Sequence, residues 1–367
     1  MNKIIYLDAA ATYQKPSAVI DAMNDFLANH YANAGRGVCG RVEYVDDMIV
    51  RTRARVAGFM NARPNQIAFV SGTTMAMNMV ADMIPMRATT RLLVSDLDHH
   101  SARLPFVQRV NERAGQVLVC PLDEHYNLDA EKIPVADVFV ITAMSNVLGK
   151  SQDVAKIIQT AKEKNPNVIT VVDAAQFVVH EKIDVRAWGA DFVCWSAHKI
   201  GADTGVGILY IKNPDDYSPA FIGGGMVKRV GADGKIFLAD SIERFEAGTL
   251  PLTQIAGIIP AIDNLEKNRP NQELIQYMYD ELSKIDRVKI LTKRDASVLT
   301  FVVDGMHSLD CGAYLGVRGF CVRVGVMCAS WIMGRLNVDG AVRVSVGVYN
   351  SQADAEAFVK AIKEVVK

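Results

Sequence analysis

Short apolar runs alternate with stretches of helical periodicity between about residues 60 and 215. Seven runs rich in β-branched and aliphatic residues predict strands at Ile67–Val70, Leu92–Ser95, Val117–Cys120, Val138–Thr142, Ile169–Asp173, Phe192–Ser196 and Gly207–Ile211. Helices are predicted at Thr74–Met83, Ser101–Ala114 and Asp153–Lys164, with a weaker signal around Ala130. Strands that are apolar throughout and separated by helices are typical of a mostly parallel sheet covered on both faces. The seventh run follows a glycine-rich turn, which allows it to be an antiparallel neighbour.

The pattern changes after Gly248. Helical spacing covers Thr253–Asn268, Asn271–Ile285 and about Gln352–Val366, and strand-like runs lie at Val298–Val303, Phe320–Val324 and Val342–Val346. Ser351 and Asp354 have capping-box spacing before the last helix. This mixed order predicts a smaller α+β domain beside the α/β domain, with a boundary near residue 255. We expect a large domain over 14–255 and a small one formed by 1–13 with 256–367.

Composition narrows the class of protein. The 367 residues are enough for two domains, and a content of 50% hydrophobic and 22% charged residues predicts a well-buried globular chain. Forty basic against 41 acidic residues argue against a nucleic-acid partner or an anionic membrane. The chain has no apolar run near the ~20 residues of a membrane helix, and its start predicts a strand, not a signal peptide. Six cysteines without CxxC spacing predict reduced thiols in the cytoplasm and no metal site.

Polar residues follow nearly every predicted strand of the large domain. In open α/β sheets, ligands bind beyond the carboxyl ends of the strands. The residues selected by that rule are Ser71–Thr74, Asp98–His100, Ser145–Asn146, Asp173–Gln176 and Ser196–Lys199. Five such strand ends together are difficult to explain by turn chemistry alone.

Two of these ends predict an anion site and an electron sink. In Ser71–Thr74, glycine and the first amides of a helix with the hydroxyls of Thr73 and Thr74 could hold a phosphate, although a plain N-cap is the commoner use. Asp173 could pair with a protonated pyridine nitrogen of pyridoxal 5′-phosphate (PLP), or cap the next turn. Taken alone, neither motif decides between its alternatives.

Lys199 gives the sharpest signal. A lysine after a strand, with Ser196 and His198 beside it, can form a Schiff base with PLP while its neighbours hold the phosphate. A single loop lysine is usually just solvated, but Asp173 lies 26 residues upstream at the end of a neighbouring predicted strand. Together they place an electron sink and a Schiff-base site in one pocket. The sequence therefore predicts a PLP enzyme acting on an amino acid.

Three further residues have both a chemical and an ordinary explanation. His99 could stack on a cofactor ring and move protons, or be a capping histidine, since no metal spacing surrounds it. Cys328 could be a loop nucleophile near Arg323 and Arg335, or a small buried hydrophobe. Arg343 alternates with apolar residues, so it is either a surface arginine or a clamp for a substrate carboxylate.

The chain resembles the class V aminotransferases, and within them the SUF-type (group II) cysteine desulfurases and selenocysteine lyases. The resemblance spans nearly the whole chain, and its motifs are Tyr6–Thr12, Asn33–Gly37, Val70–Thr74, Asp98–Ser101, Ser145–Gly149, Val172–Gln176, Ser196–Lys199, Gly205–Tyr210, Arg244–Thr249, Arg323–Ala329 and Arg343–Ser345 before Tyr349 and Asn350. So many ordered matches are far more specific than any one of them. The resemblance implies the PLP-dependent transferase fold of type I and a homodimer.

The resemblance also implies a role for each site residue. Lys199 would carry PLP, Asp173 would face the pyridine nitrogen, and His99 would stack on the ring. Gln176 and Asn146 would contact the ring hydroxyl or the substrate. The phosphate would be held by Thr73 or Thr74, Ser196, His198 and, from the other subunit, Thr249. Arg343 would clamp the substrate carboxylate with help from Asn146, and Arg323 would line the pocket near Cys328.

Cys328 would take sulfur from L-cysteine as a persulfide and leave L-alanine, passing the sulfur to an acceptor protein or a small thiol. The sequence departs from the family around this residue, because the usual Gly-His-His-Cys-Ala-Gln-Pro is Gly325–Trp331 with Val326 and Met327 before the cysteine. Ala143 also replaces a histidine. Another class V reaction, such as selenocysteine or C–S lysis or transamination, therefore stays open, as does a non-catalytic PLP-binding or sulfur-carrier role.

Overall fold

The structure, a computed structural model, describes residues 4–35 and 37–366. The strands, numbered β1 to β15 in chain order, are Ile5–Tyr6, Ile67–Val70, Arg91–Ser95, Gln116–Cys120, Val138–Thr142, Ile169–Asp173, Phe192–Ser196, Gly207–Ile211, Val227–Val230, Ile236–Leu238, Val288–Ile290, Leu299–Val303, Phe320–Cys321, Arg323–Gly325 and Ala341–Val344. The α-helices, α1 to α13, are Ser17–Asp25, Gly40–Phe59, Thr73–Met83, His100–Glu112, Val154–Lys164, Phe177–His180, Val185–Trp188, Leu252–Ala256, Ile258–Lys267, Gln272–Leu282, Ser308–Val317, Ser330–Leu336 and Gln352–Val365.

A seven-stranded sheet forms the centre of the molecule, in the order β2-β8-β7-β6-β5-β3-β4. Strands β3 to β7 pair in parallel, and β8 runs antiparallel to both β7 and β2. All residues of β5 and β7 are buried. Phe139 and Val193 pack on one face, while Val140 and Phe192 pack on the other. The predicted α/β class and the antiparallel seventh strand are confirmed.

A second, antiparallel sheet follows in the order β11-β12-β15-β14. Its apolar face packs with α10 and α13 around Phe301, Phe358 and Met278. The capping box predicted at the start of α13 is present, since Ser351 and Asp354 each bond the other's backbone amide. How the chain divides into domains at residues 13 and 255 stays a prediction.

Two predicted elements are divided in the structure. Phe320–Val324 was expected as one strand, but β13 pairs in parallel with β1 while β14 pairs with β15. The long helix expected over Thr253–Asn268 breaks between α8 and α9 at Gly257. A Cβ at Gly257 would lie only 3.1 Å from a methyl of Val19 on α1, so the close approach of α1 accounts for the glycine.

Within the described ranges, no helix is long and apolar enough to cross a membrane. Met1–Lys3, part of the predicted first strand, and Arg36, part of the Asn33–Gly37 motif, lie outside the described residues.

Candidate active site

A cavity of about 610 Å³ lies beyond the carboxyl ends of β5, β6 and β7. Its walls contain every predicted site residue except Thr249: Thr73, Thr74, His99, Asn146, Asp173, Gln176, Ser196, His198, Lys199, Arg323, Cys328 and Arg343. Thr249 is exposed and does not line this cavity. The residues come from strand ends far apart in sequence, so the parallel sheet is what gathers them.

Lys199 lies in the 3-10 turn Ala197–Ile200 that follows β7. Its Nζ donates hydrogen bonds to the carbonyl oxygens of Ala10, at 2.7 Å, and Ala11, at 3.0 Å. Burial, assisted by the positive charge of Arg343, lowers the pKa of Lys199 to about 8, although Asp173 opposes the shift. An amine with this pKa is partly neutral near pH 7 to 8, as a Schiff-base lysine requires.

Asp173 ends β6 and is buried beside Lys199. Burial raises its pKa to about 6, while a hydrogen bond from the Ala175 amide and the charge of Lys199 oppose the rise. A cationic nitrogen placed against this carboxylate would stabilise its negative charge, which burial otherwise disfavours. The capping alternative is realised only in part, because one carboxylate oxygen accepts the Ala175 amide.

Hydroxyl groups gather where α3 begins. The Ser196 hydroxyl lies 2.8 Å from both the amide nitrogen and the hydroxyl oxygen of Thr73, and the Thr74 hydroxyl lies 2.8 Å from that of Ser101. Helix α3 has no side-chain cap, so the plain N-cap alternative does not describe this turn. A Cβ on Gly207 would lie 2.6 Å from the Gly72 Cα, which explains a glycine there. The arrangement fits a phosphate at a helix N-terminus.

His198 and Gln176 have partners in the segment that follows β1. The Nδ1 atom of His198 lies 3.1 Å from the Thr12 hydroxyl, and burial lowers the pKa of His198 to about 4. The Gln176 amide donates to the Ala10 carbonyl oxygen at 2.8 Å. The N-terminal segment therefore closes one wall of the cavity.

His99 lies at the N-terminus of α4 and is both a capping residue and part of the cavity wall. Its Nδ1 accepts a hydrogen bond from the Ser101 amide at 3.1 Å, which leaves the proton of the neutral ring on Nε2. Burial, with a further effect of Lys199, lowers the pKa of His99 to about 4. The described residues include no cluster of three or more metal-ligating side chains.

Arg343 is buried, so the surface-arginine alternative is wrong. One face of β15 packs in the core through Val342 and Val344, and the other faces the cavity instead of solvent. The Arg343 guanidinium donates to the Asn146 carbonyl oxygen at 2.8 Å, and its buried Nε atom has no partner. An unpartnered guanidinium nitrogen in a cavity fits a carboxylate ligand.

Asp8, which the sequence analysis did not single out, bridges the two arginines. Its carboxylate oxygens accept from Arg323 at 2.6 Å and from Arg343 at 3.2 Å. Asn146 completes this region by donating to the Met327 carbonyl oxygen at 2.9 Å, which leaves its buried Oδ1 without a partner. Asp8 lies two residues after the end of β1, so the strand-end rule applied to the small domain would have found it.

Cys328 is exposed at the mouth of the cavity, so the buried-hydrophobe alternative is wrong. It lies in residues 325–330, here called the Cys328 turn, which run from the last residue of β14 to the first residue of α12. Gly325, Met327 and Cys328 have φ of +91°, +53° and +53°, and two of these are not glycine. At the two residues that are not glycine, such an angle costs about 1–2 kcal/mol each, so tertiary contacts must hold the turn.

Other cavity residues had no assigned role in the sequence analysis. They include His100, Ser101, Met144 and Ser330. Ser101 follows His99 and His100, and its hydroxyl joins the hydroxyl groups at the proposed phosphate site. His100 and Ser330 face each other near Cys328. Only contacts between distant segments reveal these residues, because each looks like an ordinary helix-start or loop residue in sequence.

The sequence model of the class-V aminotransferases matches residues 5–358. The chain belongs to the class-V aminotransferase family. A probable cysteine desulfurase of Vibrio cholerae is 34% identical over all of this chain and 94% of its own length. A cysteine desulfurase of Serratia proteamaculans is 30% identical over 99% of this chain and 94% of its own length.

Solved structures agree with this membership. The apo cysteine desulfurase of Thermococcus onnurineus superposes with a TM-score of 0.93 at 31% identity, covering 99% of this chain and 94% of that one. The Escherichia coli cysteine desulfurase CsdA, in an S-sulfonic acid form, gives a TM-score of 0.91 at 29% identity with the same coverage. Class-V aminotransferases are PLP dependent, and the cavity fits that cofactor, with a buried carboxylate, an amine of lowered pKa and clustered hydroxyl donors.

Proposed function

We propose that this protein is a PLP-dependent cysteine desulfurase, which converts L-cysteine to L-alanine and forms a persulfide on Cys328. The observation that carries the proposal is that Lys199, Cys328 and the β15 residue Arg343 line the same cavity. A Schiff-base amine, a carboxylate clamp and an exposed thiol are the groups that this reaction needs. Relatives and structural neighbours bearing the name of this activity support it.

The cofactor would be held by residues of the large sheet. Asp173 would face its ring nitrogen, His99 its ring face, and Gln176 or Asn146 its hydroxyl group. The phosphate would lie against the hydroxyls of Thr73, Thr74 and Ser196 and against His198. When bound, PLP supplies an electron sink for the substrate's Cα.

The remaining chemistry belongs to the chain itself. Arg343 binds the substrate carboxylate, assisted by Asn146. The Asp8 carboxylate, which accepts hydrogen bonds from both Arg323 and Arg343, holds Arg343 in place. The Lys199 amine takes the Cα proton and holds it at Nζ. The Cys328 thiolate then forms an S–S bond with the substrate sulfur as the Cβ–S bond breaks. The electron pair of the broken bond stays on Cβ, which takes up a proton, and Lys199 returns its proton to Cα, so that alanine leaves and Cys328 carries the sulfur as a persulfide.

The test is the replacement Cys328→Ala. Release of alanine and sulfide from L-cysteine should be lost, while the cofactor absorbance stays, because Cys328 is at the mouth and not in the cofactor wall. Cys39→Ala is the matched control, since Cys39 is also exposed. Full desulfurase activity in the Cys328 variant would refute the proposal.

A second candidate is another class V reaction on a small amino acid, such as selenocysteine or C–S lysis or transamination. The composition of the Cys328 turn favours it, because Val326 and Met327 line the cavity where the family pattern has histidines. A product screen over several amino acids, read with the cofactor absorbance, separates the two. Keto-acid products would support transamination.

A non-catalytic role, as a PLP-binding or sulfur-carrier partner, is the least favoured candidate. It would not require a lysine of lowered pKa in a cavity with a carboxylate clamp. Purified protein that is colourless, and that borohydride does not modify at Lys199, would support this role.

We further propose a cytoplasmic homodimer that passes sulfur to an acceptor protein. The six cysteines are free, which fits a reducing compartment. Thr249 lies exposed outside the cavity, so any contact with the phosphate would have to be made in a second subunit. Light scattering of the purified protein tests the dimer.

A further inference from the structure

The start of α4 contacts the Cys328 turn through its backbone. The amide nitrogen of His100 donates to the Cys328 carbonyl oxygen at 2.8 Å. Asn146 holds the preceding carbonyl oxygen, that of Met327. These two bonds fix successive carbonyl groups at the residues with positive φ. The turn that carries the thiol is therefore held by α4 and Asn146 in addition to its own bond from the Ala329 amide to the Val326 carbonyl oxygen at 3.0 Å.

The His100 side chain makes a second set of contacts with the same segment. Its Nε2 atom lies 3.0 Å from the Ser330 hydroxyl and accepts from the Ser330 amide at 3.4 Å. Ser330 is the first residue of α12, whose N-cap residue Ala329 provides no side-chain cap. The imidazole thus takes the place of a capping side chain, supplied by another helix.

Trp331 strengthens this contact between helices. The His100 ring meets its indole edge to face, with centroids 5.3 Å apart, and the Arg103 guanidinium lies 3.9 Å from the indole centroid. His100 and Arg103 are three residues apart and so share a face of α4. Trp331 is also one of the positions at which the chain departs from the family pattern.

We infer that His100 is a positioning residue for Cys328, and that it aligns the nucleophile with the cofactor site through α4. His99, its neighbour, lines the cofactor wall, and the buried Asp98 beneath them accepts bonds from the Ser95 amide and hydroxyl and from the Thr142 hydroxyl. The first residues of α4 thereby provide both the proposed contact with the cofactor ring, through His99, and the contacts that hold the Cys328 turn, through His100. The inference rests on the proposed function for its kinetic part alone.

The test compares His100→Ala with His100→Gln, whose side-chain oxygen can still accept from Ser330. His125→Ala is the matched control, because that histidine is exposed and lies outside the cavity. In a single turnover with L-cysteine, the alanine variant should form the Cys328 persulfide about 10- to 100-fold more slowly, since a displacement of about 1 Å has that effect on a reacting group. The glutamine variant should recover most of the rate.

Two readouts distinguish positioning from a general loss of structure. The cofactor content and the L-cysteine concentration that half-saturates the cofactor's spectral change should stay within about twofold of the unmodified protein, because His100 holds the turn and not the substrate. Amide hydrogen exchange in a peptide covering residues 326–333 should become about tenfold faster in His100→Ala. Exchange needs no turnover, so it tests the positioning even if the protein proves not to be a desulfurase.

Three results would overturn the inference. The first is unchanged exchange and persulfide formation in His100→Ala. The second is an equal loss in the glutamine variant, which would assign the effect to proton transfer by the imidazole. The third is loss of cofactor in both variants, which would place His100 in the cofactor site instead.

Discussion

The two ends of the cavity are built in opposite ways. At the cofactor end, Asp173 and Ser196 are the last residues of buried strands, and Lys199 lies in the turn after β7. Each has a hydrogen-bond partner: the Ala175 amide, the Thr73 amide and the Ala10 carbonyl oxygen, respectively. At the other end, Cys328 is exposed in a turn with positive φ angles, held by bonds from other segments. The cofactor end also keeps the family's residues, whereas the Cys328 turn has lost two histidines. The comparison shows that the proposed cofactor contacts come from residues at the strand ends of the large sheet. Which substrate bond is then broken depends on Cys328, whose turn is held by other contacts.

The largest effect should come from Lys199→Ala. Without the amine, neither covalent capture of PLP nor removal of the Cα proton is available, so turnover should fall by about 10²–10⁴-fold. Borohydride reduction followed by peptide mass analysis reports the capture. Lys182→Ala, at an exposed position, should behave as the unmodified protein. Normal turnover by the Lys199 variant would contradict the assignment of cofactor binding to the Lys199 end of the cavity.

Arg343→Lys should have the next largest effect. A lysine keeps the charge but not the paired nitrogens, so the KM for L-cysteine should rise about 10- to 100-fold, and kcat should change less. Steady-state kinetics checks this split. Arg318→Lys, at an exposed position just after α11, is the control. A fall in kcat with unchanged KM would mean that Arg343 serves the reacting atoms and not the carboxylate.

The effect of pH on the rate of PLP capture should be smaller than the effects of these two substitutions, but it reports directly on the buried Lys199 at the cofactor end. Because the pKa of Lys199 is lowered to about 8, the neutral amine increases as pH rises toward 8. The rate at which apoprotein captures PLP should therefore rise about tenfold per pH unit below 8 and level off above it. Stopped-flow absorbance measures the rate. A rise that continues to pH 10 would show a lysine with an ordinary pKa.

The smallest effect should be on stability, at the Cys328 turn. Gly325→Ala places a side chain at φ +91° and should lower the free energy of unfolding by about 1–2 kcal/mol. Gly334→Ala is matched to it, because a Cβ meets no atom within 4 Å at either position and Gly334 lies within α12. That variant should be slightly more stable. Equal effects in urea unfolding would mean that the turn is not conformationally strained.

Much of the fold could be predicted because its signals are local. The apolar runs gave all seven strands of the large sheet to within one residue, and Ser351 with Asp354 gave the start of α13. Errors arose where a distant segment decides the outcome. The break at Gly257 depends on the approach of Val19, and the division of Phe320–Val324 depends on β1 as a second partner. Neither contact leaves a pattern in the neighbouring sequence.

The sequence by itself determined the identities of the reactive groups and their places at strand ends, because strand periodicity and motif spacing are written along the chain. It could not determine that Arg343 on β15 faces a cavity and not solvent, that Asp8 joins two arginines, or that His100 holds the segment of Cys328. Those features depend on burial and on contacts between residues more than 200 positions apart. Only the packing of the two sheets brings them together, and that packing sets the pKa of Lys199 and the place of the thiol.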